Sequence, residues 1–303
     1  MIMSLYQQGL SAYREKDYQI AFDFFVKAHK HEDSANAMFF LGVLYDFGYG
    51  MAKNDEEALN WYRQAAEAGI GEAMLNIGKF YDEAKEDRGV PKDDSVALAW
   101  YQRAAAAGLQ QAMFDVGIMY ANGRGIARNF VEAFKWFKQA AQNGDATAMF
   151  NVGTYYENGK GGVEKNDAEA VRWYKQAAER GVDVAMYNLG NCYRFSRGTA
   201  QNNAEAFKWF KLAAENGHVP AMVNLGFMYE NGSGTPKSDN EAFNWYRKAA
   251  ELGQTQAMYN LAIFHKNGRG TPMSPFNAEY WYRQAAQKGH EKAQEYLDSL
   301  IIK

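Results

Sequence analysis

Residues 35–69 read ANAMFFLGVLYDFGYGMAKNDEEALNWYRQAAEAG. Met38, Leu41, Gly42 and Tyr45 fall at the three- and four-residue intervals that line one face of a helix. Gly48 or Gly50 ends that helix, since glycine accepts the left-handed backbone of a helix stop. Asn54 then supplies a capping side chain. Ala58, Trp61, Tyr62, Ala65 and Ala66 form a second helical stripe, which runs to Gly69. The stretch is therefore a predicted helical hairpin, its second helix about 21 Å long.

The hairpin recurs along the chain. All seven tryptophans occupy one place in it (Trp61, Trp100, Trp136, Trp173, Trp209, Trp245 and Trp281), spaced by 39, 36, 37, 36, 36 and 36 residues. Each is followed by Tyr or Phe, by an Ala-Ala pair and by a glycine. An Ala-Met pair opens the other half, from Ala37-Met38 to Ala257-Met258. Four first helices end in Asn-Gly, at Asn122-Gly123, Asn158-Gly159, Asn231-Gly232 and Asn267-Gly268. Each second helix opens at a capping residue: Asn54, Asp93, Asn129, Asn166, Asn202, Ser238 or Ser274. Glu57, Glu132, Glu169, Glu205 and Glu241 follow three residues on, in the pattern of a capping box. A period in this range marks an array whose units bury their apolar faces only against neighbours. Gly42, Gly78, Gly117, Gly153, Gly190 and Gly226 recur in mid-helix, with Ala262 in the last unit. Glycine costs a helix about 1 kcal/mol relative to alanine. The recurrence therefore predicts close helix approach, with a bulky ring filling the space.

Composition narrows the function. Of 303 residues 47% are hydrophobic, ample for a large core, and the net charge of -3 argues against a general nucleic-acid or anionic-membrane binder. The single cysteine, Cys192, cannot form an intrachain disulfide and is expected to be a buried small hydrophobe. No apolar run reaches the length of a membrane span, and the first residues lack the pattern of a leader. A cytoplasmic protein is expected.

The Leu-Gly-x-x-Tyr cores (Leu41 to Tyr45, Leu225 to Tyr229), the Gly-x-Gly loops (Gly123-Arg124-Gly125) and Trp-Tyr-x-x-Ala-Ala (Trp61 to Ala66) resemble the Sel-one-like repeat family, relatives of the tetratricopeptide repeat. The resemblance covers residues 35–290 in seven repeats. It implies an all-α fold, a right-handed α-solenoid superhelix of stacked helix-turn-helix repeats forming one continuous domain. Residues 1–34, with Asp17-Tyr18, Ala21, Phe25 and Ala28, read as a tetratricopeptide-like opening hairpin, and residues 291–303 as a capping helix. Two departures stand out: a longer second repeat with its extra residues between Asp82 and Asp94, and His265 where tyrosine is expected.

By the same resemblance the first helices line a concave surface. Phe39, Leu75, Phe114, Phe150, Tyr187, Val223 and Tyr259 form an apolar ladder on the side expected to lie away from the packed face. Asp46, Asp82, Ala121, Glu157, Arg194, Glu230 and Lys266 form a second row, with Glu72 and Glu83 adding negative charge near the N-terminal end. Phe47 and Phe195 stand where four repeats have asparagine. The expected partner is a protein with an apolar and basic surface, held by aromatic anchors. Packing between repeats is the competing explanation of the ladder. Asn76, Asn151, Asn188, Asn224 and Asn260 run beside it and are expected mainly to bond the adjacent repeat. A carboxylate clamp of the tetratricopeptide type needs clustered cations, whereas Lys79, Arg194 and Lys266 lie in different repeats.

Catalytic patterns fail on spacing. Gly153 to Lys160 has five residues between its glycines instead of the four of a P-loop, and Gly161 where Ser or Thr is needed. The five histidines form no helix-face pair with a carboxylate, so no zinc site is expected. No serine has lysine three residues on, which removes a β-lactamase-like hydrolase. The acidic stretch Asp82–Asp94 lacks calcium-loop spacing and reads as solvated. The expectation is a binding scaffold without cofactor, metal or catalytic residues. The resemblance extends it to bacterial signalling or envelope adaptors, or to immunity proteins that neutralise a secreted toxin.

Overall fold

The computed structural model describes residues 3–83 and 90–301. Residues 84–89, within the expected acidic loop, lie outside them. The described residues form 17 helices and no strand. The chain divides into two compact units, Met1–Ala148 with Lys160–Gly162, and Met149–Gly159 with Val163–Lys303. The first holds α1 (Leu5–Arg14), α2 (Tyr18–Glu32), α3 (Ala35–Phe47), α4 (Asp55–Glu67), α5 (Gly71–Asp82), α6 (Asp94–Ala106), α7 (Gln110–Asn122) and α8 (Phe130–Gln142). Helix α9 (Ala146–Asn158) carries the division between Ala148 and Met149. The second unit continues with α10 (Asp167–Glu179), α11 (Asp183–Phe195), α12 (Asn203–Glu215), α13 (Val219–Asn231), α14 (Asp239–Glu251), α15 (Thr255–Asn267), α16 (Pro275–Gln287) and α17 (Glu291–Ile301).

The plan within each unit is the same. A first helix packs along the second helix of its own hairpin, and that second helix packs on the first helix of the next. Local chemistry sets the helix bounds. The side chains of Asn54, Asp93, Asn129, Asn166, Asn202, Ser238 and Ser274 each accept a backbone N–H from the first turn of their helix. The glutamates after them point forward: Glu132 pairs with Lys135 and Glu169 with Arg172, both at 2.6 Å, and Glu205 accepts the Trp209 indole N–H at 3.2 Å. A reciprocal capping box closes at α1 instead, between Ser4 and Gln7.

The mid-helix glycines meet their expected rings. A Cβ on Gly42 would lie 2.6 Å from the Tyr62 ring, and one on Gly226 would lie 2.7 Å from the Tyr246 ring. Tyr101, Phe137, Tyr174 and Phe210 fill the same space beneath Gly78, Gly117, Gly153 and Gly190. These rings follow the tryptophans in sequence and are the core: Tyr62, Tyr174, Tyr246 and Phe210 are wholly buried, whereas Trp61, Trp100, Trp136, Trp173, Trp245 and Trp281 are half-buried. The opening hairpin uses the same device, with Phe25 beneath Gly9.

Candidate functional site

The expected ladder lies on the first helices, and its aromatic members each lie against the ring that follows the tryptophan of the same hairpin. Ring centroids are 5.9 Å apart for Phe39 and Tyr62, and 5.6 Å for Phe114 and Phe137. In the second unit they are 5.7 Å for Phe150 and Tyr174, and 5.8 Å for Tyr187 with Phe210 and for Tyr259 with Tyr282. These ladder residues are half-buried, and Tyr187 and Tyr259 are also packed against the rings of His218 and His290, at 4.7 and 4.2 Å. Leu75 and Asp46 depart from the expected outward position and are buried, at 9% and 8% exposure. A first helix inside an array is packed both by its own hairpin and by the preceding one, which leaves a narrower free stripe than a lone amphipathic helix has.

The acidic row is engaged internally. The hydroxyl of Tyr62 donates to Asp46 at 3.3 Å, Tyr101 to Asp82 at 3.2 Å, Tyr174 to Glu157 at 2.6 Å and Tyr246 to Glu230 at 2.8 Å. An acid thus stands in the row at four of the five hairpins whose inserted ring is tyrosine, the fifth having Lys266 over the Tyr296 ring. Ala121 and Arg194 occur where the ring is Phe137 or Phe210 and has no hydroxyl to donate. Arginines from the following hairpin's interhelical loop, Gly-Arg-Gly at Arg124 and Arg269 and Ser-Arg-Gly at Arg197, complete three of the pairs. Arg124 bonds Asp82 and, at 2.8 Å, Asp94. Arg197 pairs with Glu157 at 3.1 Å. Arg269 pairs with Glu230 at 2.7 Å and Asp239 at 2.8 Å. The expected acidic character of this face is therefore compensated from within the fold. Burial, followed by the adjoining glutamate, pushes the Tyr174 and Tyr246 hydroxyls far above the ordinary phenol range, which keeps them donors. Asn188 and Asn260, from the next hairpin, oppose that rise.

Three of the expected residues remain available. Phe47 is 60% exposed and stacks on Tyr49 at 5.4 Å, and Phe195 is 57% exposed. Arg194 is half-buried; its guanidinium lies 5.0 Å from the Phe195 ring centroid and 4.6 Å from that of Phe227. Phe227, 41% exposed, is not singled out by the sequence: its counterparts Val43, Lys79, Thr154 and Asn191 share no chemistry, and Val43, expected on the outward face, is buried at 8% exposure. Cys192 is buried, and desolvation pushes its thiol up to about 11. Among the described residues no group of three or more His, Cys, Asp or Glu could hold a metal ion, and no helix is long and apolar enough to cross a membrane.

Stacked helical hairpins with glycine-for-ring packing, capped second helices and Gly-x-Gly loops define a helical-repeat solenoid. The Sel1 repeat model matches eight segments, residues 4–30, 35–70, 71–109, 110–145, 146–182, 183–218, 219–254 and 255–290, and the chain belongs to the Sel1 repeat family. The opening hairpin is among these segments. The chain is similar to a protective antigen of uropathogenic Escherichia coli displaying an SLR fold, at 30% identity and a TM-score of 0.92; the match covers 98% of this chain and 64% of that one. It thus spans about two thirds of the length of that protein. A Sel1 repeat protein from Oxalobacter formigenes matches at 27% identity and a TM-score of 0.75, covering 98% of this chain and 86% of that one. No curated protein matches the chain.

Proposed function

We propose that the chain is a protein-binding scaffold that holds its partner against the first helices and performs no reaction on it. The observation that carries this reading is the exposure of Phe47 and Phe195, at 60% and 57%, at the helix end where four other repeats place asparagine. Large exposed aromatics are costly on a soluble surface and are frequent anchors in interfaces. Each stands at the end of a first helix that also carries a half-buried ladder ring, Phe39 in one and Tyr187 in the other.

Affinity capture of a partner from the native host, repeated with Phe47→Ala and with Phe195→Ala, tests the reading. The wild-type chain should retain a stoichiometric protein, and at least one variant should lose it with no change in thermal stability. Capture unaffected by both variants would place the contact elsewhere. The sharper form of the proposal is toxin neutralisation, in which the retained protein is an enzyme inhibited on binding. A signalling or envelope adaptor would leave its partner's activity intact.

A further inference from the structure

We infer that Arg194, Phe195 and Phe227 form a pocket for a carboxylate-bearing, apolar peptide segment of a partner protein. The inference rests on the scaffold reading and adds the chemistry of what is held. Position 194 belongs to a row that supplies acids to inserted tyrosines in four other repeats. Here the ring is Phe210, no hydroxyl awaits an acid, and an arginine has the place. The loop arginines Arg124, Arg197 and Arg269 each have carboxylate partners. Arg194 has none among the described residues; one hydrogen bond goes to Asn224 Oδ1 at 3.4 Å. Glu230, in the same helix as Phe227, is occupied by Arg269 and Tyr246. The Arg194 guanidinium is also partly desolvated, which lowers its pKa from the ordinary value, with Tyr187 and Tyr246 nearby as the opposing influence.

A half-buried cation without a counter-charge is an unfavourable arrangement that an incoming anion relieves. The two rings beside the guanidinium favour its planar cation and hold it in place. Among the described residues its guanidinium has one hydrogen-bond acceptor, Asn224, and a guanidinium edge matches a carboxylate through two parallel bonds. Phe195 and Phe227 are exposed and supply apolar contact next to that charge. A ligand that satisfies both is an Asp, Glu or C-terminal carboxylate adjoining an aromatic or aliphatic side chain.

A random-peptide library selected against the full chain tests this. The selected peptides should carry a carboxylate next to an apolar residue. Arg194→Gln should weaken them about tenfold or more, the scale of a lost charge-assisted hydrogen bond. Arg194→Lys should restore only part of that loss, and Phe227→Ala should weaken the same peptides. Amidated or Gln-substituted copies of the peptides should not bind. Circular dichroism and thermal melts confirm that the variants are folded. Selection of basic or uncharged peptides, binding that survives Arg194→Gln, or no selected peptide at all would overturn the pocket. Peptides that bind independently of Arg194 but are lost on Phe47→Ala would leave the scaffold reading standing.

Discussion

At the scale of single residues, the glycine-ring pairs show a local rule yielding to packing. Helix propensity alone favours alanine at position 226 by about 1 kcal/mol. The Tyr246 ring carbons 2.7 Å from the place of a Cβ reverse that preference. Gly226→Ala should destabilise the protein by about 1–3 kcal/mol, the range of core overpacking, read as a lower urea midpoint. This feature was legible in the sequence because a costly residue recurred at one register. His265 is the opposite case, a single departure from its register. It stands in place of tyrosine and packs edge-on against Phe243 at 5.2 Å, as Tyr229 does on Phe207 at 5.1 Å. Its Nδ1 has no hydrogen-bond partner among the described residues, and burial lowers its pKa below the ordinary 6.5. His218 is lowered for the same reason, and its Nδ1 accepts the Ala221 N–H at 3.2 Å. Both histidines favour the neutral form when folded. Their stabilisation is present above pH 6.5 and is lost as acid drives the pH down through the depressed folded values. The melting temperature should therefore fall on acidification, and His265→Tyr should raise it and make that fall shallower, as calorimetry would show. Cys192 should resist thiol reagents until the hairpin opens, because the thiolate is the reactive form.

At the scale of helices and loops, the caps were readable and the carboxylate partners were not. An N-cap acts within three residues of itself, so Asn54 or Ser238 announces its helix directly. Glu157 and Arg197 lie 40 residues apart, and Glu230 and Arg269 lie 39 apart, distances over which only the stacked fold brings them together. A signal was nevertheless present: acids occur in the row beside inserted tyrosines and are replaced beside Phe137 and Phe210. Reading each first helix alone assigned those acids to a partner; reading both helices of the hairpin assigns them to the tyrosine. Arg269→Gln should cost about 1 kcal/mol, since the pair is a quarter exposed but networked with Asp239 and Tyr246. A double-mutant cycle with Glu230→Gln should recover most of that cost as coupling energy.

At the scale of the molecule, stability in each unit is a sum of hairpins and nearest-neighbour contacts. Trp209 is 6% exposed and ties α12 to itself through Glu205. Trp209→Ala should cost about 3–5 kcal/mol. The added hydrogen exchange should be concentrated in residues 183–254, and an equal rise throughout the second unit would contradict local coupling. The repeat period alone discloses the fold, because Trp61 and its six counterparts hold one register. The open face was less legible: whether Leu75 or Phe114 keeps a free flank depends on how closely the preceding hairpin leans on it, which no single helix records.

The arginine bridges also dictate how the array tolerates editing. In the second unit the loops alternate, Arg197, then Ser233, then Arg269, and the rows they face alternate in step, Glu157, then Arg194, then Glu230. Excising residues 183–218 would bring Ser233 opposite Glu157 and strand its charge. Excising residues 183–254 would bring Arg269 there and heal the seam. The shorter deletion should therefore yield the less stable protein, an inversion of the usual penalty for loss of length, and the natural currency of growth or contraction in this chain is the hairpin couple.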